Sequence, residues 1–333
     1  MITVKKVFKH KKQQVYEIEM ANEAISIKVL TLGATLTHFS QLNKPNTLVS
    51  YKDVKSYTQN EVYLGSTIGP LAGRTKGGRF EMDDQQYQLD LNEPLHHLHG
   101  GENGLDKQVF DYVYEDDDRF PSLVFSGMTD YTSQGYPGQI TSYITYRLVR
   151  NTLIINLKAI PSTKMPLNLT THAYFNLSHE ATVVNHLLKI DSNQVLKLDD
   201  TLANTAERIS VQNTAFDFRS AYTIGQRIKR SHEQFELTRS LDHCYLLRDS
   251  HSIVLFDPVS KQSLAINTTA PAVVIYLANY FDERFESEYH SPAQNQSGIA
   301  IEPSDVPNGI NLSLADFYSP TKPFDQTTWY TLN

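Results

Sequence analysis

The sequence has a single cysteine, Cys244, so it cannot form a disulfide within the chain. One free thiol fits a reducing compartment, and we therefore expect a cytoplasmic protein. Long apolar runs are also missing: the longest, PAVVIYLA at 271–278, is far short of the roughly 20 residues that a membrane helix needs. The first residues, MITVKKVFKHKKQQ, lack the apolar region and cleavage site of a secretory signal. Because these features are missing, we expect neither membrane insertion nor export.

Charge of one sign is not concentrated anywhere in the chain. The formal net charge is −7, and no Lys/Arg block exceeds two residues. Proteins that bind nucleic acid carry basic patches that neutralise phosphates, so this pattern argues against a nucleic-acid partner. We expect a monomer or a weak homodimer.

Strand patterns fill the chain, with 19 Tyr and 15 Phe residues to supply an extended core. In the segment SYITYRLVRNTLIINLKAI, apolar residues alternate on either side of Arg150-Asn151, which predicts a β-hairpin. Helix signals are scarce, and only 225–239 is long and polar enough for a turn or two. Because no linker or compositional break divides the chain, we expect one domain over 1–333. Large antiparallel sheets packed on one another suit so many strands, and no repeat indicates a propeller.

A glycine-rich run, GPLAGRTKGG at 69–78, superficially resembles a phosphate-binding loop. It is one residue short, has Arg74 in place of lysine, and precedes no helix pattern, so the sequence gives nucleotide binding little support. A second cluster, HHLHGG at 96–101, would put His97 and His99 on one face of an extended segment. A metal pair and hydrogen-bonded loop histidines are the two interpretations, and no further ligand at metal spacing lies nearby.

Two further segments carry titratable side chains. In LNLTTHAYFNLS (167–178), alternation puts His172 and Tyr174 on one polar face, although a lone histidine is more often structural than catalytic. In IAIEPSDVP (299–307), Glu302 closes an apolar strand, and Pro303 is expected to stop the ladder and expose it. A lone glutamate usually faces solvent, and Asp242 is equally ambiguous. No Gly-x-Ser-x-Gly elbow occurs, and Cys244 lies among apolar residues, which disfavours covalent catalysis.

Taken together and in order, these segments resemble the aldose 1-epimerase (galactose mutarotase) family. The resemblance spans about 33–311 and rests on seven motifs. They are GATL from Gly33, NEPLHHLHGGENGLDKQVF from Asn92, SQGYPGQI from Ser133, LNLTTHAYFNLS from Leu167, AFDFR from Ala215, LDHCYLL from Leu241 and IAIEPSDVPNGIN from Ile299. It implies an all-β fold, a large antiparallel β-sandwich of the galactose mutarotase type, with an open cleft for one sugar.

The resemblance also implies a mechanism that interconverts the α and β anomers of a free aldose such as galactose or glucose. His172 is similar to the family's general acid and Glu302 to its general base, and these two groups should converge on opposite sides of the hemiacetal. For this, Glu302 must start ionised and His172 protonated, and Asp242 is a candidate to hold the imidazolium charge. The implied sugar-binding residues are Arg74, His99, Tyr174 and Asp242. No metal, nucleotide or flavin cofactor is required.

This chain departs from the family pattern at two positions. Gly73 stands where the family usually has Asn, and Val274 where it often has Gln. Specificity for galactose or glucose is therefore open. Three alternatives remain: a catalytically silent sugar-binding module on the same fold, a glycosidase that pairs Glu302 with Asp242 or Asp305, and a relative acting on hexose 6-phosphates.

Overall fold

The computed structural model describes residues 1–290 and 292–333. In chain order, the strands of the first half are β1 (Ile2–His10), β2 (Gln13–Ala21), β3 (Ile25–Leu30), β4 (Thr35–Gln41), β5 (Thr67–Ile68), β6 (Arg74–Lys76), β7 (Arg79–Met82), β8 (Gln85–Gln88), β9 (His96–Leu98), β10 (Asp111–Glu115), β11 (Ser122–Asp130), β12 (Gln139–Val149) and β13 (Thr152–Pro161). Those of the second half are β14 (Met165–Pro166), β15 (Thr170–Thr171), β16 (Tyr174–Phe175), β17 (Leu187–Ile190), β18 (Ser192–Leu198), β19 (Asn204–Ser210), β20 (Tyr222–Thr223), β21 (Asp242–Leu247), β22 (Ser252–Phe256), β23 (Ser263–Thr268), β24 (Ala272–Tyr276), β25 (Ile299–Ser304), β26 (Phe317–Tyr318) and β27 (Phe324–Leu332).

Helices are few and short. They are α1 (Ile224–Ile228), α2 (Glu233–Thr238) and α3 (Gly309–Leu312), with 3-10 turns at Val54–Gln59, Leu105–Lys107 and Thr132–Gln134. The first two coincide with the single segment in which the sequence predicted helical turns. None of the described helices is long and apolar enough to cross a membrane.

Three antiparallel sheets make up most of the molecule. One contains β1 to β4 in sequence order; a second has nine strands in the order β10-β11-β12-β13-β27-β23-β22-β17-β20; a third has six in the order β16-β25-β24-β21-β18-β19. The main hydrophobic core combines residues of the nine-stranded sheet, such as Ile144 and Ile266, with residues of the six-stranded sheet, such as Ile275 and Ile301. Burial of both inner faces produces the predicted sandwich.

The predicted hairpin is confirmed. Strands β12 and β13 pair from Val149↔Thr152 to Ile140↔Pro161, and buried residues alternate with more exposed ones along both strands. The connection turns at Arg150, whose φ is +54°. Alternate apolar residues face the core because successive side chains of a strand point to opposite faces.

The expectation that Pro303 ends its strand is wrong. Strand β25 continues to Ser304, and all six of its residues are buried. The Pro303 carbonyl accepts hydrogen bonds from Thr170 Oγ1 and Gln326 Nε2, so the polar backbone of this residue points away from β24. A missing N–H therefore costs no ladder bond, and Glu302 is held inside the sheet instead of at an exposed end.

Candidate active site

A cleft of about 270 Å³ lies against the six-stranded sheet. All six residues singled out from the sequence line it: Arg74, His99, His172, Tyr174, Asp242 and Glu302. Its size is close to the lower end of the range for small-molecule sites, about 300–1,000 Å³. The fold thus brings together side chains that are up to 228 positions apart in the chain (302 − 74).

One wall of the cleft is a face of the six-stranded sheet. Alternate residues of neighbouring strands point into it, because side chains i and i+2 share a face. They are Asp242 and Cys244 on β21, Val274 and Tyr276 on β24, and Glu302 and Ser304 on β25. The residues between them, such as Ile275 and Ile301, belong to the core on the other side. One face of the sheet therefore packs in the hydrophobic core, and the other lines the cleft.

The opposite wall comes from β6 and the residue after β9. Arg74 pairs with Leu98 across these two short strands. His99 follows with a φ of +52°, which turns its ring towards the cleft. Two hydrogen bonds lock this turn: His99 N donates to the Gly73 carbonyl at 3.2 Å, and Gly73 N donates to His99 Nδ1 at 3.1 Å.

The hydrogen bond from Gly73 also decides the tautomer of His99. Since Nδ1 accepts a backbone N–H, the proton of the neutral ring lies on Nε2. Burial lowers the pKa of His99 well below its usual value, and the charges of His172 and Arg74 lower it further. His99 is thus a neutral donor, suited to a hydroxyl oxygen.

His97 and His99 do not share a face. The positive φ of His99 breaks the alternation, so the pair suggested by spacing alone is not formed. The His97 ring bonds the Asp90 carbonyl through Nδ1 at 2.9 Å and the Tyr136 hydroxyl through Nε2 at 2.8 Å. This agrees with the alternative of a hydrogen-bonded loop histidine. In the described part of the chain, no group of three His, Cys, Asp or Glu is placed to hold a metal ion.

His172 and Glu302 lie side by side at the floor of the cleft. His172 Nε2 is 3.5 Å from Glu302 Oε1, and each side chain is 5% exposed. The sequence predicted that the two groups converge on opposite sides of the hemiacetal; they do converge, but as direct neighbours with no room for a sugar between them. The two oxygens of a hemiacetal are bonded to one carbon, so adjacent groups can reach both of them.

Burial sets the protonation of this pair. It raises the pKa of Glu302 well above its usual value, and the charge of Asp242 raises it further. Burial also lowers the pKa of His172 to about 4. Without sugar, the neutral carboxylic acid and neutral imidazole are therefore favoured, instead of the expected carboxylate and imidazolium. Asp242 acts on Glu302 here and not as the counter-charge of His172.

Arg74 is fixed by a partner that the sequence reasoning missed. Its Nε atom donates to Glu93 Oε2 at 2.9 Å, and its Nη2 atom donates to Glu93 Oε1 at 2.9 Å. Although burial opposes it, the charges of Asp242 and Glu93 raise the pKa of Arg74. This bidentate geometry holds the guanidinium plane still and leaves Nη1 for a ligand. Glu93 lies inside the motif NEPLHHLHGG, but no spacing rule connects it with Arg74.

Asp242 is an acceptor without a partner. Burial raises the pKa of its carboxyl, although the charge of Arg74 lowers it. Within the described residues, no hydrogen bond reaches this carboxyl group. Arg74 and His99 thus supply donors and Asp242 an acceptor, which together match sugar hydroxyls.

Aromatic rings surround His172. Tyr174 lies with its ring centroid 4.9 Å from that of His172, and its hydroxyl donates to the Val62 carbonyl at 3.1 Å. Tyr63, which sequence reasoning also missed, lies 5.9 Å from His172 and 4.6 Å from His99 between centroids. Tyr63 was missed because it carries no motif of its own. Tyr174 thus lines the cleft with its ring close to the imidazole of His172 and its hydroxyl bonded to the backbone.

Neither a phosphate-binding loop nor a cysteine nucleophile is supported by the structure of these segments. The glycine-rich run forms the short strand β6 and is followed by strand β7 instead of a helix. Burial raises the pKa of the Cys244 thiol to about 12, so it stays protonated and is a poor nucleophile.

Comparison with known proteins identifies relatives along nearly the whole chain. A sequence model described as aldose 1-epimerase matches residues 16–330. Galactose mutarotase of Homo sapiens is 27% identical over 328 residues, 95% of this chain and 93% of the relative. Aldose 1-epimerase of Escherichia coli strain K12 is 29% identical over 301 residues, 87% of this chain and 86% of the relative.

Solved structures agree with these relatives. The galactose 1-epimerase from Lactobacillus acidophilus NCFM superimposes with a TM-score of 0.92 at 27% identity, covering 100% of this chain and 98% of that one. An aldose epimerase homologue from C. elegans gives a TM-score of 0.85 at 26% identity, covering 95% and 98%. The predicted sandwich of the galactose mutarotase type is confirmed.

Proposed function

The chain belongs to the aldose 1-epimerase family, and we propose that it interconverts the anomers of a free aldose by proton transfer through Glu302 and His172. The observation that supports these roles is the approach of His172 Nε2 to Glu302 Oε1, 3.5 Å apart in a cleft lined by donors and acceptors for hydroxyl groups. Galactose is the substrate that the names of its relatives print, and we propose glucose beside it as a second free aldose.

Ring opening needs two proton transfers. Glu302 takes the proton of the anomeric hydroxyl while His172 gives a proton to the ring oxygen, and the bond between C1 and that oxygen breaks. The product is the open-chain aldehyde. Rotation about C1–C2 and reversal of both transfers close the ring as the other anomer, with no net change in protons.

The site has the correct number of protons for this cycle. The reactive pair, carboxylate and imidazolium, holds one proton, as does the neutral pair favoured by burial. The neutral pair is also the state that follows ring opening. Sugar hydroxyls that donate to Glu302 would lower its pKa and shift the pair to its reactive form.

Three side chains would hold the sugar. Arg74 presents Nη1, His99 presents Nε2–H, and Asp242 accepts hydrogen bonds. Because each would be left unpaired by a sugar with a mismatched hydroxyl, these contacts should discriminate among aldoses.

We further propose that the chain works as one domain in the cytoplasm, as a monomer or weak homodimer, on free sugar and without nucleic acid. The buried, unpaired thiol of Cys244 and the mild net charge support this. Size-exclusion chromatography with light scattering tests the oligomeric state.

Polarimetry tests the activity. Freshly dissolved α-D-glucose and α-D-galactose should mutarotate faster with enzyme than in buffer alone. If no aldose is accelerated, the silent sugar-binding module is the better account.

A further inference from the structure

Three side chains form a row across the cleft face of the six-stranded sheet, with Glu302 in the middle. Val274 on β24 is directly opposite Glu302. On the other side, Tyr174 is opposite Ala300, and the same antiparallel register carried two residues further puts His172 beside Glu302. The 3.5 Å contact between His172 and Glu302 agrees with this order.

This row determines how a bound sugar is oriented in the cleft, if the roles under Proposed function hold. The anomeric carbon is bonded to the hydroxyl oxygen, the ring oxygen and C2. With the hydroxyl at Glu302 and the ring oxygen at His172, C2 must lie on the side away from His172. That is the side of Val274.

The wall at this point offers no strong hydrogen bond. Val274 has an apolar side chain, and Cys244, opposite it on the next strand, has only a weak thiol donor. Both lie in an apolar cluster with Leu196, Ala272 and Val306.

The polar groups on adjacent rows are poorly placed for C2. Ser304 lies one row further, opposite Ala272, and is 1% exposed. The other adjacent row holds Tyr276, whose hydroxyl accepts the Tyr280 N–H at 3.2 Å, and Asp242, which lies opposite Tyr276 on β21, two strands from Glu302. Both are further from Glu302 than Val274 is, so we assign them to the more distant hydroxyls of the sugar.

We propose that C2 of the sugar faces the apolar wall of Val274 and Cys244, so that this enzyme uses 2-deoxyaldoses as efficiently as the parent aldoses. The inference deepens the proposed function by naming a substrate class. It makes Val274, a departure from the family pattern, a determinant of specificity at one carbon.

The test compares kcat/KM for glucose and 2-deoxyglucose, and for galactose and 2-deoxygalactose. Each value is divided by the spontaneous rate constant of the same sugar, because the sugars anomerise at different rates in buffer. In the wild type we expect each normalised pair to agree within about threefold. Loss of a buried hydrogen bond would instead cost about 5- to 150-fold, and such a preference for the 2-hydroxyl sugars would overturn the inference.

Two variants at one position sharpen the test. Val274→Gln puts an amide directly across from Glu302, at the spacing of a cross-strand pair. It should shift the ratio at least about fivefold towards the 2-hydroxyl sugars, whereas Val274→Leu, which stays apolar, should keep the wild-type ratio. Circular dichroism confirms that both variants fold.

The outcomes separate the two proposals. If Val274→Gln and Val274→Leu give the same ratio, C2 does not face this wall and the inference fails while the proposed function stands. If the wild type accelerates no aldose at all, the proposed function itself fails, and the inference with it.

Discussion

His172 Nε2 lies 3.5 Å from Glu302 Oε1, with each side chain 5% exposed. This contact joins a residue from a break between two short strands, β15 and β16, to one in the middle of β25. Because burial disfavours charge on both groups, the pair has to share a single proton. The pH dependence of the enzyme, its stability and its response to mutation all follow from this relationship.

The pH profile of kcat/KM should be a broad plateau. The pair carries its single proton only above the lowered pKa of His172, about 4, and below the raised pKa of Glu302. Activity should therefore fall towards about pH 4 on the acid side and fall again as the pH rises through the raised pKa of Glu302. Initial rates corrected for buffer catalysis measure this. An acid limb centred on 6.5, the ordinary pKa of histidine, would show that His172 is not held neutral.

Three buried histidines should make the fold sensitive to acid. Burial lowers the pKa values of His172 and His186 to about 4 and that of His243 to about 3. In the unfolded chain they titrate near 6.5, so the unfolded state binds more protons as pH falls from 6.5 through these values. These three groups should lower the free energy of unfolding over that window, whereas the raised pKa values of the Glu302 and Asp242 carboxyls act in the opposite direction.

Denaturant unfolding at about pH 7 and about pH 5 measures the drop. His243→Gln removes one of the three groups, since His243 lies outside the cleft and an amide does not titrate. Its unfolding free energy should depend less on pH than that of the wild type. An identical dependence would mean that His243 is protonated in the folded protein.

Glu93 should act on substrate binding through Arg74. In Glu93→Gln the guanidinium loses its bidentate partner, so KM should rise about tenfold or more while kcat changes little. Glu207→Gln is the control, because it removes an exposed ion pair with Lys197 away from the cleft. Equal KM values for the two variants would show that Arg74 does not need Glu93.

Gly73 should be intolerant of a side chain for two reasons. Its φ is +74°, and an added Cβ would lie 2.5 Å from Pro307 Cβ. Gly73→Ala should destabilise the protein by about 1–3 kcal/mol and raise KM, because Gly73 N orients His99. Gly77→Ala is the matched control: φ is +63°, but a Cβ there meets open space. Thermal unfolding should show a smaller loss of stability for Gly77→Ala than for Gly73→Ala. Equal losses of stability would contradict a clash with Pro307.

The sequence predicted the parts of this structure that depend on local pattern. Alternation predicted the β12–β13 hairpin because each side chain there is either in the core or at the surface. The prediction that Pro303 ends its strand was wrong, because a proline interrupts a strand only where its missing N–H would have faced a neighbouring strand. The turn of His99 depends on a backbone angle that no spacing reveals.

The sequence could predict that the candidate residues share one cleft, because the motifs that carry them resemble those of one family. Their electrostatics could not be predicted in the same way. The protonation of His172 and Glu302 depends on burial, and the anchoring of Arg74 depends on Glu93, 19 positions away in sequence. Both are properties of the folded chain.

The mutarotation rate of α-D-glucose with Glu302→Gln tests the central claim most directly. Glutamine keeps the shape of the side chain but cannot take the proton of the anomeric hydroxyl. With an unchanged circular dichroism spectrum, the rate should fall at least about 10²-fold, as should that of His172→Asn. A well-folded Glu302→Gln enzyme with a rate near that of the wild type would contradict the account.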